Sequence, residues 1–379
     1  MKQSTLKLTA LAMLLGGVMS ANAQTADPIN VVTTAVPFLR ISPDARAGGM
    51  GDAGIATAPD ANASFWNLGK TVFAKNTSSV ALTYTPWLKD LGLNDVYLAT
   101  MGGYYKLDDE QAISLGLGYF SLGSIQFTDA SGTPLNSGRP REFSIDLGYS
   151  RKLSAKSGVG IALRYISSDL ANGASSGGTT YKKGSSVAGD LHYFHNGAKA
   201  NGAGFNWGVT LSNLGAKISY TNDANQKDYI PANFGLGGAY TKVFDQDNKL
   251  TFALDINKLL VPTPADISDS AGLADYRSKG VVGSWFSSFG DAPGGFSEEL
   301  KELSYSLGAE YTYKDQFSFR AGYFYENPTK GNRKYFSVGA GLNYNVFGLN
   351  FAYLLPSGSG TNRNPLSNTL RFSLVFNVK

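Results

Sequence analysis

Apolar and polar residues alternate along most of this chain from about Val80 onward. In one stretch, Phe143, Ile145, Leu147 and Tyr149 are separated by serine, aspartate and glycine. Successive side chains of a strand point to opposite faces, so a period of two predicts strands with one apolar face. About fourteen such segments can be distinguished, an even number as in single-chain bacterial outer-membrane barrels. The pattern therefore predicts an all-β fold, a transmembrane antiparallel β-barrel.

The apolar set of each segment is expected to face lipid, and the intervening polar set to face the lumen. In the second segment this apolar set is Val96, Leu98 and Tyr104. The side chains expected to face lipid include Phe143, Ile145, Leu163, Phe252, Phe351 and Leu374.

The connections between the segments differ in length according to their order. Those after even-numbered segments are short, whereas most of those after odd-numbered segments are long, as in outer-membrane barrels with short periplasmic turns. A soluble β-sandwich has no reason to sort its loops in this way. Tyrosines at segment ends predict two girdles at the membrane interfaces, although tyrosine is also common in strands generally. The predicted inner girdle is Tyr104, Tyr149, Tyr240, Tyr311 and Tyr344, and the outer girdle is Tyr84, Tyr119, Tyr165, Tyr323 and Tyr353.

Targeting signals support a membrane location. Lys2 and Lys7 precede an apolar run that ends near Met19, and Ala21-Asn22-Ala23 forms an A-x-A cleavage site, so residues 1–23 are expected to be a signal peptide removed before Gln24. No later stretch is long and apolar enough for a transmembrane helix, so a membrane form of this chain has to be a closed barrel. The 45 glycines and the 22 Phe and 21 Tyr residues suit tight barrel interiors and apolar strand faces.

Charge and cysteine content exclude several classes of function. After cleavage 31 basic residues face 29 acidic ones, because the leader removes two lysines and no acid. A net charge this small does not indicate a nucleic-acid partner. The absence of cysteine excludes disulfides, thiol nucleophiles and thiolate metal sites.

Residues 24–77 interrupt the alternation. They contain a run rich in glycine and alanine between Arg46 and Gly54, with Asp60 as a plausible N-cap of a short helix. We expect a hatch that starts on the periplasmic side and folds back to plug the lumen of a barrel at 78–379. A disordered tail is the alternative, which the apolar content of the segment disfavours.

Catalytic and metal chemistry find little support. The two histidines are His192 and His195, and His192 alternates with apolar neighbours, so it should face the lumen near Asp190. A His–Asp pair could orient a serine, but no strained serine elbow is visible. Two histidines three apart are too few to indicate a metal site. We expect no enzymatic activity, no cofactor and no metal.

Charged residues of the lumen-facing parity predict ion pairs. Asp146, Arg164 and Asp190 fall on three consecutive segments, and Glu310 and Arg320 flank one tight turn. Buried charges need partners, so the structural interpretation is a bracing network, and a polar conduit is the functional alternative.

The long connection at 258–302 is the best candidate for a partner-binding surface. It contains Trp285, Phe286, Phe289 and Phe296 among small and polar residues. Exposed aromatic residues often anchor protein interfaces. Packing on the rim of the barrel itself is an equally good explanation from the sequence.

The segment VPFLRISPDARAGGMGDAGIATAPDANASFWN at 36–67 resembles the N-terminal hatch of FadL-like barrels, above all the PorV (LptO) family of the type IX secretion system. Further resemblance lies in ALTYTPWLKDL at 81–91, in GYYKLDDEQAISLGLGYFSLGSIQFTD at 103–129 and in EFSIDLGYSRKLS at 142–154. It continues in ALRYISSDL at 162–170 and YKKGSSVAGDL at 181–191, and so covers nearly the whole mature chain. The chain departs from the family at Asn67-Leu68-Gly69-Lys70, where Asn-Pro-Ala is usual.

The resemblance implies a non-transport role. Such proteins receive secreted cargo, by its C-terminal signal domain, from a giant translocon barrel (SprA, or Sov). They then carry the cargo to a surface attachment complex that contains the PorU sortase. The alternative is a FadL-like transporter of small hydrophobic molecules, and the shared fold does not distinguish the two.

Overall fold

The computed structural model describes residues 29–89, 92–128, 131–171, 173–176, 178–223, 226–264, 270–355, 366 and 368–378. The predicted signal peptide and its cleavage site lie outside these residues. None of the described helices is long and apolar enough to cross a bilayer.

Fourteen antiparallel strands close into one barrel, so the predicted fold is confirmed. Each strand pairs with its neighbours in the chain, and the first pairs with the last from Ser78 opposite Val378 to Tyr84 opposite Phe372. Closure leaves no unpaired edge, which a bilayer requires. The strands are β1 (Ser78–Pro86), β2 (Val96–Lys106), β3 (Gln111–Leu122), β4 (Arg141–Lys152), β5 (Ser157–Asp169), β6 (Gly184–His195), β7 (Gly204–Gly215), β8 (Asn233–Val243), β9 (Asn248–Leu259), β10 (Ser304–Tyr313), β11 (Phe317–Tyr325), β12 (Lys334–Tyr344), β13 (Phe347–Leu355) and β14 (Thr369–Val378).

The connections follow β1 to β14 as short turns at one end and mostly longer loops at the other. We call the end with the longer loops the outer end and the other the periplasmic end, as in known barrels. Two outer loops contain small ribbons, Ile125–Thr128 with Pro134–Gly138 and Ser175–Ser176 with Thr179–Thr180. A third contains helices α3 (Ser270–Ser278), α4 (Val281–Ser287) and α5 (Phe296–Lys301).

The outer face of the barrel is apolar. Leu163 is 69% exposed, and Ile145, Phe252 and Phe351 are also exposed on this face. Phe143 and Leu374 are partly covered by neighbouring side chains of the same face, such as Tyr119 and Leu349. Exposure of such side chains is favourable only toward lipid.

The predicted face of β2 is wrong. Val96 and Leu98 are only 4% and 2% exposed, and they point into the lumen against Phe38 and Phe120. The side chains of β2 that share a face with Leu82 and Tyr84 of β1 are instead Met101 and Ala99. β2 begins with apolar residues on both faces, so a period of two could not distinguish them.

Tyr104 is correspondingly not part of an interfacial girdle. It is buried inside the barrel with its hydroxyl 3.4 Å from the carbonyl of Asn76, and Tyr105 is the exposed ring at this depth. The lumen-facing side of this strand is apolar because a segment of the chain packs against it.

Candidate functional site

Residues 29–77, which precede β1, pass through the barrel from one end to the other, and we call them the lumen segment. At the outer end, the backbone N–H of Asn30 donates to the carbonyl of Thr329 at 3.0 Å, and that of Ala35 donates to the carbonyl of Tyr229 at 2.9 Å. Ile29, the first described residue, is 80% exposed there. The chain reaches the periplasmic end before Ser78, where β1 begins. The expected hatch starts from the periplasmic side, whereas the described segment begins at the outer end.

Four short helical turns occupy the lumen between these ends. They are the 3₁₀ turns Pro37–Arg40 and Leu68–Phe73 and the helices α1 (Ala45–Gly48) and α2 (Ala63–Trp66). Asp44 caps α1 by accepting from the N–H of Ala47 at 2.7 Å. Asp60 does not cap α2, because the N-cap of that helix is Asn62.

Glycines on both sides allow the backbone of this segment to touch the barrel wall. Gly51 has φ +67°, a left-handed conformation that favours glycine. A Cβ atom added to Gly322 of β11 would lie 2.0 Å from the N atom of Gly51. The glycine run noticed in the sequence therefore serves close contact with the wall.

Arg46 connects the lumen segment to the wall. Its guanidinium donates to both carboxylate oxygens of Glu310 on β10, at 3.0 and 2.8 Å, and to Asp60 at 2.8 Å. Arg320 of β11 donates to the same Glu310 carboxylate at 2.6 Å. Two arginines, one from the segment and one from the wall, thus share Glu310, and the structure places Glu310 and Arg320 together.

Two further carboxylates tie the segment to the barrel. Asp52 accepts from Arg371 of β14 at 2.6 Å and also from the hydroxyl of Tyr335. Asp255 of β9 accepts from the backbone N–H groups of Gly54 and Ile55, at 2.6 and 2.8 Å. These contacts were not anticipated, although Arg371 and Asp255 both occupy polar positions within alternating apolar runs, which is a recognisable signal.

Lys70 lies in the stretch at 67–70 where the sequence departs from the pattern it resembles, and it is fully buried. Its ammonium group donates to the carbonyl of Gly54 at 2.7 Å and to Thr57 at 3.3 Å. Lys70 is thus paired within the lumen segment itself.

A second ionic cluster lies within the wall. Arg164 of β5 contacts Asp146 of β4, Asp190 of β6 at 3.1 Å and Asn213 of β7. The structure thus brings together Asp146, Arg164 and Asp190, the three charges predicted to pair. Their contacts are with one another and with Asn213, so this cluster links neighbouring strands.

Each of the two histidines packs against a neighbouring group. The Nδ1 atom of His192 accepts from the backbone N–H of Leu68 at 2.9 Å, and His195 stacks on Trp207. Across the described ranges, no group of three or more His, Cys, Asp or Glu side chains is arranged to hold a metal ion. His192 therefore serves here as a wall contact for the lumen segment.

The loop that carries the predicted aromatic residues is fixed to the rim by polar contacts. Lys258 donates to Glu299 and Glu302 at 2.9 and 2.6 Å, and Lys330 of the next outer loop donates to Glu302 at 2.9 Å. The hydroxyl of Tyr229 donates to the carbonyl of Lys279 at 2.8 Å. The part of the loop at 270–302 is therefore held against the rim, and we call it the outer platform.

The four aromatic residues differ in their surroundings. Phe286 and Phe296 are 74% and 77% exposed. Phe289 packs edge-on against Phe234 of β8, with ring centroids 6.0 Å apart, and Trp285 is half-buried. Val282 and Leu300, each four residues from one of the two exposed rings along its helix, are exposed as well. Residues four apart share a helix face, so α4 and α5 each present an apolar pair.

Comparison with known proteins decides the family. A family profile described as "Type IX secretion system protein PorV" matches residues 23–266, more than half of the chain. The chain belongs to the PorV family. It is thereby associated with the type IX secretion system, and it is an outer-membrane β-barrel. No curated protein sequence matches the chain.

Solved structures support the fold of this PorV-family chain. The Ralstonia pickettii toluene transporter TbuX superposes with a TM-score of 0.51 at 11% identity, covering 89% of this chain and 98% of that one. The P. putida toluene transporter TodX gives 0.50 at 13% identity, again covering 89% and 98%. At such low identity the similarity shows the barrel fold alone and carries nothing about what passes through it.

Proposed function

We propose that this protein works without catalysis or transport, by binding protein partners at its outer end. It would receive secreted cargo, by the C-terminal signal domain, at the giant translocon barrel and deliver it to the attachment complex with its PorU-like sortase. Membership of the PorV family supports this role. The observation that carries it is the contrast between a lumen crossed by residues 29–77 and an outer loop that exposes Phe286 and Phe296.

The contacts of the lumen segment argue against passage. The segment is held at the outer end by the backbone of Asn30 and Ala35, and in the middle by Arg46 and Asp52. At the periplasmic end it continues directly into β1. The described part of this segment is therefore held at both ends, which opposes the swinging motion of a hatch.

The outer platform has the properties of a binding surface. The helix of Phe286 is held by the hydrogen bond from Tyr229 to the carbonyl of Lys279, and the helix of Phe296 by the ion pairs of Lys258 with Glu299 and Glu302. Both rings therefore project from fixed helices, so little ordering entropy remains to be lost on binding. Full burial of a phenylalanine side chain contributes about 1.5–3 kcal/mol. Two such rings are enough to dominate the affinity for a partner.

The test uses a deletion strain complemented with a variant in which both Phe286 and Phe296 are replaced by Ala. Because both rings are mostly exposed, the barrel should still fold, as checked by heat-modifiable migration. We expect at least a roughly tenfold loss of cargo captured by the purified barrel, and reduced cargo release at the cell surface. The matched control is Phe244→Ala, which removes an exposed ring in a periplasmic turn.

Two outcomes would contradict the proposal. Normal release from the loop variant would remove this platform from the function. Normal secretion of several cargo proteins in the full deletion strain, with lost growth on an apolar nutrient, would favour the transporter.

Deleting residues 24–70 is expected to produce ion conductance in planar bilayers, whereas an intact protein that already conducts like an open porin would show that the lumen is not sealed.

A further inference from the structure

Two arginines at the outer end of the lumen share a single carboxylate. Arg333 holds Glu326 with two donors, Nε to Oε2 at 2.7 Å and Nη2 to Oε1. Arg40, at the end of the first 3₁₀ turn, reaches only within 3.8 Å of the same Glu326. Among the residues that the structure describes, this contact is the one ionic partner of Arg40, and its guanidinium makes no hydrogen bond.

A cavity of about 280 Å³ opens beside these two guanidinium groups. One wall is the extended stretch at 31–34 of the lumen segment, and Pro37 and Leu259 contribute apolar surface. The charged side chains that line it are Arg40, Lys301, Lys330 and Arg333 against Glu302 and Glu326. Cations therefore outnumber anions around a space that faces the outer end.

The state of Arg40 adds a physical reason for a ligand. Burial, followed by the repulsion of Arg333, lowers the pKa of Arg40 to about 10 despite the attraction of Glu326, so the group remains charged at neutral pH. A charged guanidinium carries five donors in a planar fork, and an anion with two oxygens matches that fork. Glu326 is already held by Arg333, so the donors of Arg40 that face the cavity are available to a partner from outside the described chain.

We propose that this cavity binds the carboxylate group of a ligand between Arg40 and Arg333. The ligand is either the free carboxylate at the end of a peptide or a small organic acid, and its uncharged stem would lie along the wall at 31–34. This site is separate from the platform at Phe286 and Phe296. It stands whether or not that platform binds cargo.

The test measures binding to the purified full-length protein in detergent by titration calorimetry. The probes are N-acetyl-trialanine with a free carboxylate, the same peptide as a C-terminal amide, and octanoate. We expect at least one of the two acids to bind roughly tenfold or more tightly than the amide, as loss of charge-assisted hydrogen bonds implies. Peptide acid alone would identify a chain terminus as the source, and octanoate alone a small acid.

Three variants make the result specific. Arg40→Gln should abolish the preference for the acid. Glu326→Gln should strengthen acid binding several-fold, because it removes the resident competitor, and a purely structural role of these arginines would not produce this gain. Arg277→Gln is the matched control, since Arg277 also has a single longer ion contact, 3.4 Å to Asp228, on an outer loop.

Equal affinity for acid and amide would overturn the proposal, as would unchanged acid binding in Arg40→Gln. Absence of binding by both acids up to about 1 mM would overturn it too, since a paired-arginine site should exceed that affinity.

Discussion

Replacing Arg46 with Ala should loosen the lumen segment without opening the barrel wall. The change removes two charge-assisted hydrogen bonds to Glu310 and one to Asp60, all between 2.8 and 3.0 Å. Glu310 keeps Arg320 as a partner, so no carboxylate is left alone in the wall. Each such bond contributes about 1.5–3 kcal/mol to the stability of the folded state. The Arg46–Asp60 bond contributes less than the others because these two side chains are 17% and 25% exposed. We expect a local loss of about 3 kcal/mol.

Hydrogen exchange read by mass spectrometry measures this loss directly. A reduction of about 3 kcal/mol in the local opening free energy should speed exchange of peptides that cover residues 45–56 roughly a hundredfold. Strand amides of β9 and β10 should change little. Arg277→Ala is the control for a more exposed pair, for which about 0–1 kcal/mol is expected.

The double variant with Glu310→Ala tests whether the two side chains act on each other. Glu310→Ala alone leaves Arg46 and Arg320 facing each other without their shared carboxylate, so the two single losses should exceed the double loss by about 2 kcal/mol. Additive losses, or less than a threefold acceleration in Arg46→Ala, would refute the idea that this ion pair holds the segment in place.

Three further predictions follow from the same structure. The chain lacks cysteine, so single cysteines can be labelled specifically. Ile29→Cys should react with a membrane-impermeant maleimide on intact cells, whereas Asp109→Cys in a periplasmic turn should react only after permeabilisation. The reverse pattern would show that the lumen segment runs in the opposite direction. Leu163→Arg should cost about 2–4 kcal/mol in refolding into vesicles, and Leu153→Arg, at an exposed turn position, should cost far less; equal costs would contradict the assigned lipid face. Burial raises the pKa of Glu302, but hydrogen bonds from Lys258, Thr263 and Lys330 together hold this pKa below the usual 4.5. The stabilisation that Glu302 gives to the folded loop is therefore complete above about pH 4.5, and it is lost as the pH falls through the lower pKa of the folded state. Emission from Trp285, taken as the difference from Trp285→Phe, should therefore change on acidification, and Glu302→Gln should show the loosened signal already at neutral pH; a flat profile would contradict the anchoring role of Glu302.

The alternation of apolar residues was sufficient to predict the barrel, because each strand that faces lipid on one side and a polar lumen on the other must repeat every two residues. The alternation of short and long connections along the chain predicted that the long loops lie together at one end of the barrel. The face of β2 could not be predicted in this way. Val96 and Leu98 alternate like lipid-facing residues, but they pack against Phe38 of the lumen segment instead of against lipid.

Charges within the strands were recognisable as lumen-facing, since Asp146, Arg164 and Arg320 break apolar runs at the polar parity. Which partner each one meets depends on strand register and on the path of residues far away in the sequence. The ion pairs of Arg46 with Glu310 and of Asp52 with Arg371 join positions separated by 264 and 319 residues. No local pattern encodes such a pairing.

The sequence by itself determined a membrane barrel, because the period of two and the loop lengths are read directly from the chain, and the stretch at 36–67 resembles the PorV family. Only the tertiary structure decided that residues 29–36 lie at the outer end and that Arg40 faces a cavity while Glu326 is held by Arg333. It also decided that Phe289 packs on the rim with 52% of its surface exposed, whereas Phe286 and Phe296 are 74% and 77% exposed. These features depend on how closed strands bring distant segments into one lumen. Contact, burial and the competition of two arginines for Glu326 exist only once that lumen has formed.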